Sequence, residues 1–539
     1  MIRRILAAAV ALAALLTVPS AAPTVSRPLT VSTDKGEVAG SAAGGVGRYL
    51  GIPYAAPPVG DRRWQPPAPA AEWPGVRSAH DPGARCVQTA TGDGPGTSED
   101  CLYLNVYAPE RRTQRPLPVL FWIHGGGFMS GSGDLYDGSQ LARTNNIVVV
   151  TINYRLGVFG FLDLPGLSAR GAGNYGLLDQ TAALRWTQRN IAAFGGDPGR
   201  VTLSGESAGG QSVCSLLASP PARGLFDRAI IQSGGCPSLT PAQARVRGRS
   251  VATAAGCRDS ATAVSCLRAK RPDDVLAAGR DFGGILNGPL PVSGVPELPV
   301  APGVAVRTGR SADVPLLIGA NRDETRKWSP PFANATRAQY ERVIRQHYGP
   351  HAGGVLARYP YGARPGRYKA AYALSAVWTD SSVFYGMGGC QYQRLAGRFA
   401  SQQPRTYFYE FGDRDTPSPG PVPPGFAAGA SHATELAYLW PSMAQKPLTP
   451  EQRKLSRTMV RHWGAFVRDA DPTTRGQVAW PSYRSGRLMS LLPGDSSKTV
   501  SAKAYAAQHQ CSFWNGIDYD WLTTDPAPLA DALRVRGTP

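Results

Sequence analysis

This sequence has little charge, few histidines, no block of one sign and, past its first residues, no long apolar run. Each shortage excludes something. Charged residues make up only 18% of the 539, yet the formal net charge is +19. The arginines and lysines behind that excess are spread along the whole chain. There is no dense basic cluster and no nucleic-acid motif, so a nucleic-acid partner is not expected. The excess reads as the bias of an Ala/Gly/Arg/Pro-rich composition. With hydrophobic residues at 42%, the chain has material for a large core and does not read as disordered. Its 62 glycines and 48 prolines are scattered, which predicts many turns and long loops. No stretch after the leader is long and apolar enough to span a membrane.

The leader is Met1 to Ala22. Arg3-Arg4 is its basic start, Ile5 to Val18 its apolar run, and Ser20-Ala21-Ala22 supplies small residues for cleavage. Arg3-Arg4 also suits a twin-arginine route, but the rest of that motif is poor and general secretion fits better. Leader and composition suit a bacterial chain exported as a soluble protein over residues 23–539. The eight cysteines, an even number in an exported chain, predict disulfides.

What is present centres on Arg200 to Gln211. Val201-Thr202-Leu203 has the character of a buried strand, Gly205-Glu206-Ser207-Ala208-Gly209 follows, and Gln211 to Leu217 suits a helix. Strand, G-x-S-x-G, helix is the layout of a nucleophile elbow. A serine on so sharp a turn sits in a strained backbone, and Cβ atoms two residues to either side would collide, hence Gly205 and Gly209. The amide of Ala208 then points to where an oxyanion would form.

Upstream, Val119 to Ile123 reads as a strand running into His124-Gly125-Gly126-Gly127-Phe128. Consecutive glycines let the backbone approach a substrate closely, so Gly126 and Gly127 are expected to supply two oxyanion donors and Ala208 a third. Ile147 to Asn153 is β-branched enough for a strand buried on both faces. Asn174 to Phe194 has helical spacing that ends in a turn at Gly195-Gly196-Asp197-Pro198, and Phe226 to Gln232 reads as a further strand. Strands alternating with helices predict an α/β class with a large, mostly parallel sheet flanked by helices.

These stretches, together with GIPYAAPPVG, SEDCLYLNVY, VVVTINYRLGVFGFL, GANRDE, GASHATEL and CSFWN, span nearly the whole mature chain. Through them the chain resembles the type-B carboxylesterase/lipase family, which includes the cholinesterases, on the α/β-hydrolase fold. Length alone suggests about three or four domains. The resemblance runs in one interlocked order and implies a single domain over 23–539. α/β-Hydrolases order their triad Ser, acid, His. After the strand Val314 to Gly319, Asp323 and Glu324 are equal candidates by position, and the resemblance selects Glu324, with Thr325 standing where the family often has glycine. Five histidines follow: His347, His351, His432, His462 and His509. His432, in a loop past the strand Thr406 to Phe411, matches the family's base. Ser207, Glu324 and His432 are thus expected to be catalytic, with Glu206 and Ser233 close behind them. No cofactor and no metal is needed.

The resemblance also implies Cys86–Cys101, Cys257–Cys266 and Cys390–Cys511 disulfides. Cys214 and Cys236 are left either as a fourth pair or as buried thiols. In cholinesterases the Cys86–Cys101 loop carries a cation-stacking tryptophan, and in the family's interfacial lipases it is a longer apolar lid. Here it reads VQTATGDGPGTSED, with no aromatic residue and few apolar ones. The acyl-pocket region, Phe282-Gly283-Gly284-Ile285-Leu286, is small and predicts a roomy pocket. A small-molecule ester is the expected partner and a carboxylesterase for soluble esters the expected activity. The alternatives are a triacylglycerol lipase and a non-catalytic adhesion homologue.

Overall fold

The chain enters through an antiparallel meander, Leu29–Thr33 (β1), Gly36–Ala43 (β2) and Val46–Pro53 (β3). Ala43 pairs with Val46, so Gly44 and Gly45 alone make the second turn. Both have positive φ, 59° and 78°, the two-residue hairpin geometry that glycine supplies without steric cost. The computed structural model describes residues 29–517 except 90–93, 111–114, 168–169, 283–287, 382–386, 418–419 and 421. The leader lies outside the described residues, as does the Phe282–Leu286 pocket segment apart from Phe282.

The strands that follow are Tyr103–Pro109 (β4), Leu117–Ile123 (β5), Val148–Ile152 (β6), Gly196–Glu206 (β7), Arg228–Gln232 (β8), Leu316–Asn321 (β9), Thr406–Phe411 (β10), Arg487–Leu491 (β11) and Lys498–Ser501 (β12). They join the meander in one sheet ordered β1-β2-β3-β4-β6-β5-β7-β8-β9-β10-β11-β12, with Val76–Ser78 added beside β2. From β6 to β11 every neighbouring pair is parallel; the flanking pairs are antiparallel. The chain has the large, mostly parallel sheet that its strand–helix alternation predicts, on the α/β-hydrolase fold that the family resemblance implies.

The middle strands are apolar on both sides because both faces are covered. Alternate side chains go to different cores: Val119, Phe121, Ile123, Val148 and Val150 to one, Leu120, Trp122 and Val149 to the other. Each such side chain contributes about 1.5–3 kcal/mol of burial free energy. The helix Tyr175–Asn190 (α1) covers one face and continues as a tighter turn, Ile191–Phe194. Gly195, at φ +85°, ends it. The sequence places a turn over Gly195 to Pro198. The structure instead starts β7 at Gly196, whose amino end pairs with Leu117 before a break in register. The predicted strand at Val314 likewise begins later and runs on to Asn321, carrying the chain toward Glu324. The helices Ala208–Ala218 (α2), Lys369–Ser381 (α3) and Pro450–Asp469 (α4) complete the frame around the site.

Candidate active site

Ser207 joins β7 to α2 with φ +57° and ψ −122°, a conformation costly for any residue with a Cβ. Its N–H donates to the Gln232 carbonyl on β8 at 2.9 Å, which holds the turn. The flanking glycines are required sterically. A Cβ on Gly205 would lie 2.5 Å from the Gly209 carbonyl carbon, and one on Gly209 only 2.0 Å from the Ile123 oxygen. The elbow is therefore wedged against the end of β5, and Ser207 is 9% exposed.

β5 delivers the glycine loop to the same place. A Cβ on Gly125 would meet Glu206 Oε2 at 2.6 Å and the Ser207 Cβ at 3.0 Å. Gly126 and Gly127 follow at φ +106° and +62°, exposed. Among the described residues their N–H groups have no acceptor, while the amides of Met129 and Ser130 turn back onto the Gly126 oxygen. Ala208, first residue of α2, carries one of the helix-start amides that lack an intrahelical acceptor. The loop is held from behind. Tyr154 Oη donates to the His124 oxygen at 3.0 Å, the Gly157 amide to Phe128 at 2.6 Å, and the Gln88 side chain clamps both backbone groups of Gly131 at 2.9 Å. Gln88 belongs to the Cys86–Cys101 loop, which thus braces the glycine turn. His124 itself is stacked on Tyr154, and burial pushes its pKa down to about 4.

At the end of β9, Glu324 is fully buried. Its Oε1 accepts from the Asn321 amide at 2.8 Å and from Ser233 Oγ at 2.5 Å. Its Oε2 meets His432 Nδ1 at 2.7 Å, and its backbone oxygen takes the His432 N–H. Asp323 faces the other way, onto Arg326, Arg414 and the Ala430 amide. Of the other later histidines, His462 bonds the Pro472 carbonyl and His509 sits between Asp380 and Glu410. His347 is buried without a hydrogen-bond partner, and His351 is exposed. Ser207 Oγ makes no hydrogen bond to His432 in this structure. His432 Nε2 lies 3.1 Å from Glu206 Oε1, out of line for a hydrogen bond. Such contacts are commonly loose before substrate binds.

Glu435, three residues past His432 in the GASHATEL stretch, is a site residue to which the sequence reading gives no role. It accepts from Asn321 Nδ2 at 2.6 Å and Gln232 Nε2 at 3.3 Å. Burial raises the pKa of Glu435 to about 8, helped by repulsion from Glu206 and Glu324. Burial likewise raises Glu206 to about 8, with Lys327 opposing and Glu324 adding to the rise. Three carboxyls thus surround one imidazole, and Glu324 is met by three donors. Ser207, Ser233 and Ala433 at this site hold positive φ of 57°, 48° and 68°, strain of the kind that active sites store. Thr325 is tied by Oγ1 to the Ser375 oxygen and Thr379 on α3.

Four disulfides are formed: Cys86–Cys101, Cys214–Cys236, Cys257–Cys266 and Cys390–Cys511. The second, left open by the sequence, pins α2 to the chain just past Ser233. Among the described residues no group of side chains could hold a metal ion and no helix could cross a membrane.

The carboxylesterase family model matches residues 27–514. The chain is 38% identical over 489 residues to the cocaine esterase of Oryctolagus cuniculus, covering 84% of this chain and 90% of that one. It is 34% identical over 508 residues to the para-nitrobenzyl esterase of Bacillus subtilis, covering 90% and 98%. Superposition on the carboxylesterase of Geobacillus stearothermophilus gives a TM-score of 0.77 at 33% identity, over 90% of this chain and 99% of that one.

Proposed function

This chain belongs to the carboxylesterase family and is a carboxylic ester hydrolase, and we propose that it works through a Ser207–His432–Glu324 triad on soluble esters outside the cell. The observation that carries the reading is the 2.7 Å bond between His432 Nδ1 and Glu324 Oε2, beside a serine raised on a strained strand-to-helix turn. With Nδ1 donating to the carboxylate, Nε2 is left as the acceptor. Ser207 Oγ attacks the ester carbonyl and gives its proton to Nε2. Glu324 holds the ring and stabilises the imidazolium. The amides of Gly126, Gly127 and Ala208 receive the oxyanion, each worth about 2.7–4 kcal/mol to the transition state. The imidazolium then protonates the leaving alcohol, and water, deprotonated by the same nitrogen, releases the acid and restores Ser207.

Four disulfides and the leader at Met1–Ala22 support export. One sheet continuous from β1 to β12 supports a single catalytic domain over 23–539. The Cys86–Cys101 loop has no aromatic residue for a cation and no apolar face for an oil surface, which favours neutral, soluble, short- to medium-chain esters over choline esters or triglycerides. A fluorophosphonate label is expected to stop hydrolysis and to map to Ser207, with Ser207→Ala unlabelled. A label elsewhere refutes the nucleophile. A series of aryl esters is expected to show no jump in rate at the solubility limit, whereas a sharp rise on emulsified long-chain triglyceride would make the protein a lipase.

A further inference from the structure

Outside the triad, a cavity of about 300 Å³ gathers charge of one sign. That is the lower end of the range for small-ligand pockets. Five of its lining residues are arginines: Arg322, Arg326, Arg358, Arg364 and Arg414. Against them stand Asp323 and Asp380. Asp380 is already engaged, accepting from His509 Nδ1 at 2.6 Å and Tyr359 Oη at 2.7 Å. Asp323 pairs with Arg326 and Arg414 and accepts from the Ala430 amide. Among the described residues Arg322, Arg358 and Arg364 have no carboxylate partner. Arg358 bonds the Gly354 oxygen and lies over Phe513.

Two features mark the positive charge gathered here. Arg326 is more than nine-tenths buried, and its Nε has no hydrogen-bond partner; the Nε of Arg322 is orphaned too. A buried guanidinium is costly unless its charge is balanced. Secondly, like charges are crowded together instead of being spread apart. Arg326 and Arg364 share the ring of Tyr372, at 5.7 and 5.3 Å from its centroid. Burial, with Arg364 and Arg414 adding repulsion against the pull of Asp323, lowers the Arg326 pKa to about 10.

We propose that this cavity binds a tetrahedral oxyanion, a phosphate- or sulfate-bearing small molecule. The exposed Arg358 and Arg364, with Arg414 beside them, meet it from the rim, and Arg326 and Arg322 add positive charge from the wall. Guanidinium forks match such oxygens in pairs. The site is separate from the ester site: neither Ser207 nor His432 lines it, although Asp323 stands next to Glu324 in the chain.

The test is calorimetric titration of the full chain with sodium phosphate and with sodium sulfate at constant ionic strength. Saturable binding near one ion per chain is expected, and chloride should not displace it. Arg326→Gln, which removes one positive charge from the wall, should weaken phosphate about tenfold. Because that side chain is buried, the Arg358→Gln/Arg364→Gln rim variant provides a second arm, with a loss of about tenfold or more expected. Glycerol 3-phosphate and phosphatidic acid vesicles distinguish a soluble phosphate ester from a lipid headgroup; binding of either must be lost in the rim variant. Chain phosphonylated at Ser207 should bind phosphate as before. No saturable heat, equal affinity in both variants, or loss of binding on phosphonylation overturns the proposal.

Discussion

Ser233→Ala separates a positioning role from a purely structural one. Ser233 is fully buried at the end of β8, and its hydroxyl donates to Glu324 Oε1 at 2.5 Å. Removing that hydroxyl leaves the carboxylate with the Asn321 amide and His432 as its donors. A hydrogen bond to a charged group is worth about 1.5–3 kcal/mol, so unfolding in urea should show a loss of that size. Glu324 keeps its bond to the imidazole, so only part of the loss reaches the transition state. A share near 1.4 kcal/mol lowers kcat about tenfold, and the full 3 kcal/mol about a hundredfold. KM should hold, since Ser233 is not placed against substrate. Steady-state hydrolysis of a 4-nitrophenyl ester measures both constants, and Ser233→Thr, which keeps a hydroxyl, should recover part of kcat. A kcat within about twofold of wild type, alongside the lost stability, would refute the view that Ser233 orients the acid.

Gly209→Ala should yield little folded protein, because its Cβ would fall 2.0 Å from the Ile123 oxygen; soluble expression and circular dichroism report it. Removing one disulfide at a time, by paired Cys→Ser replacement, should destabilise in order of the chain enclosed. Cys390–Cys511, 121 residues apart, should cost about 5 kcal/mol and Cys257–Cys266, nine apart, about 2.6 kcal/mol in the chain-entropy model; equal denaturation midpoints would contradict this. Glu435 holds its proton in the folded state up to about pH 8, whereas an unfolded glutamate releases it near 4.3. Its contribution to stability is therefore complete below the unfolded pKa and is lost as pH rises through about 8. Relative to wild type, Glu435→Gln should gain about 1.4 kcal/mol per pH unit between roughly pH 5 and 8, and a pH-independent difference would show that the carboxyl is not held protonated.

Much of the site is legible in the sequence because its causes are local. The glycines flanking Ser207 are dictated by contacts within the elbow and with the strand beside it. The alternating apolar runs at 117–123 and 148–152 announce strands covered on both faces. Boundaries are less legible. Gly196 to Pro198 has turn composition, yet its amino end pairs with Leu117, a choice made by a partner about eighty residues upstream.

The sequence by itself determined the fold class and the glycines that flank Ser207. Those depend on steric limits and periodicities that act over a few residues. By position it left Asp323 and Glu324 equivalent, with the family resemblance choosing Glu324, and it left Cys214 and Cys236 undecided. The tertiary structure turns Glu324 toward His432 and Asp323 toward Arg326 and Arg414, and brings α2 against the end of β8, where Cys214 bonds Cys236. The same holds for Glu435 and for the arginine-lined cavity. Their chemistry comes from desolvation and from charges far apart in the chain, and neither exists until the sheet and its helices have closed around them.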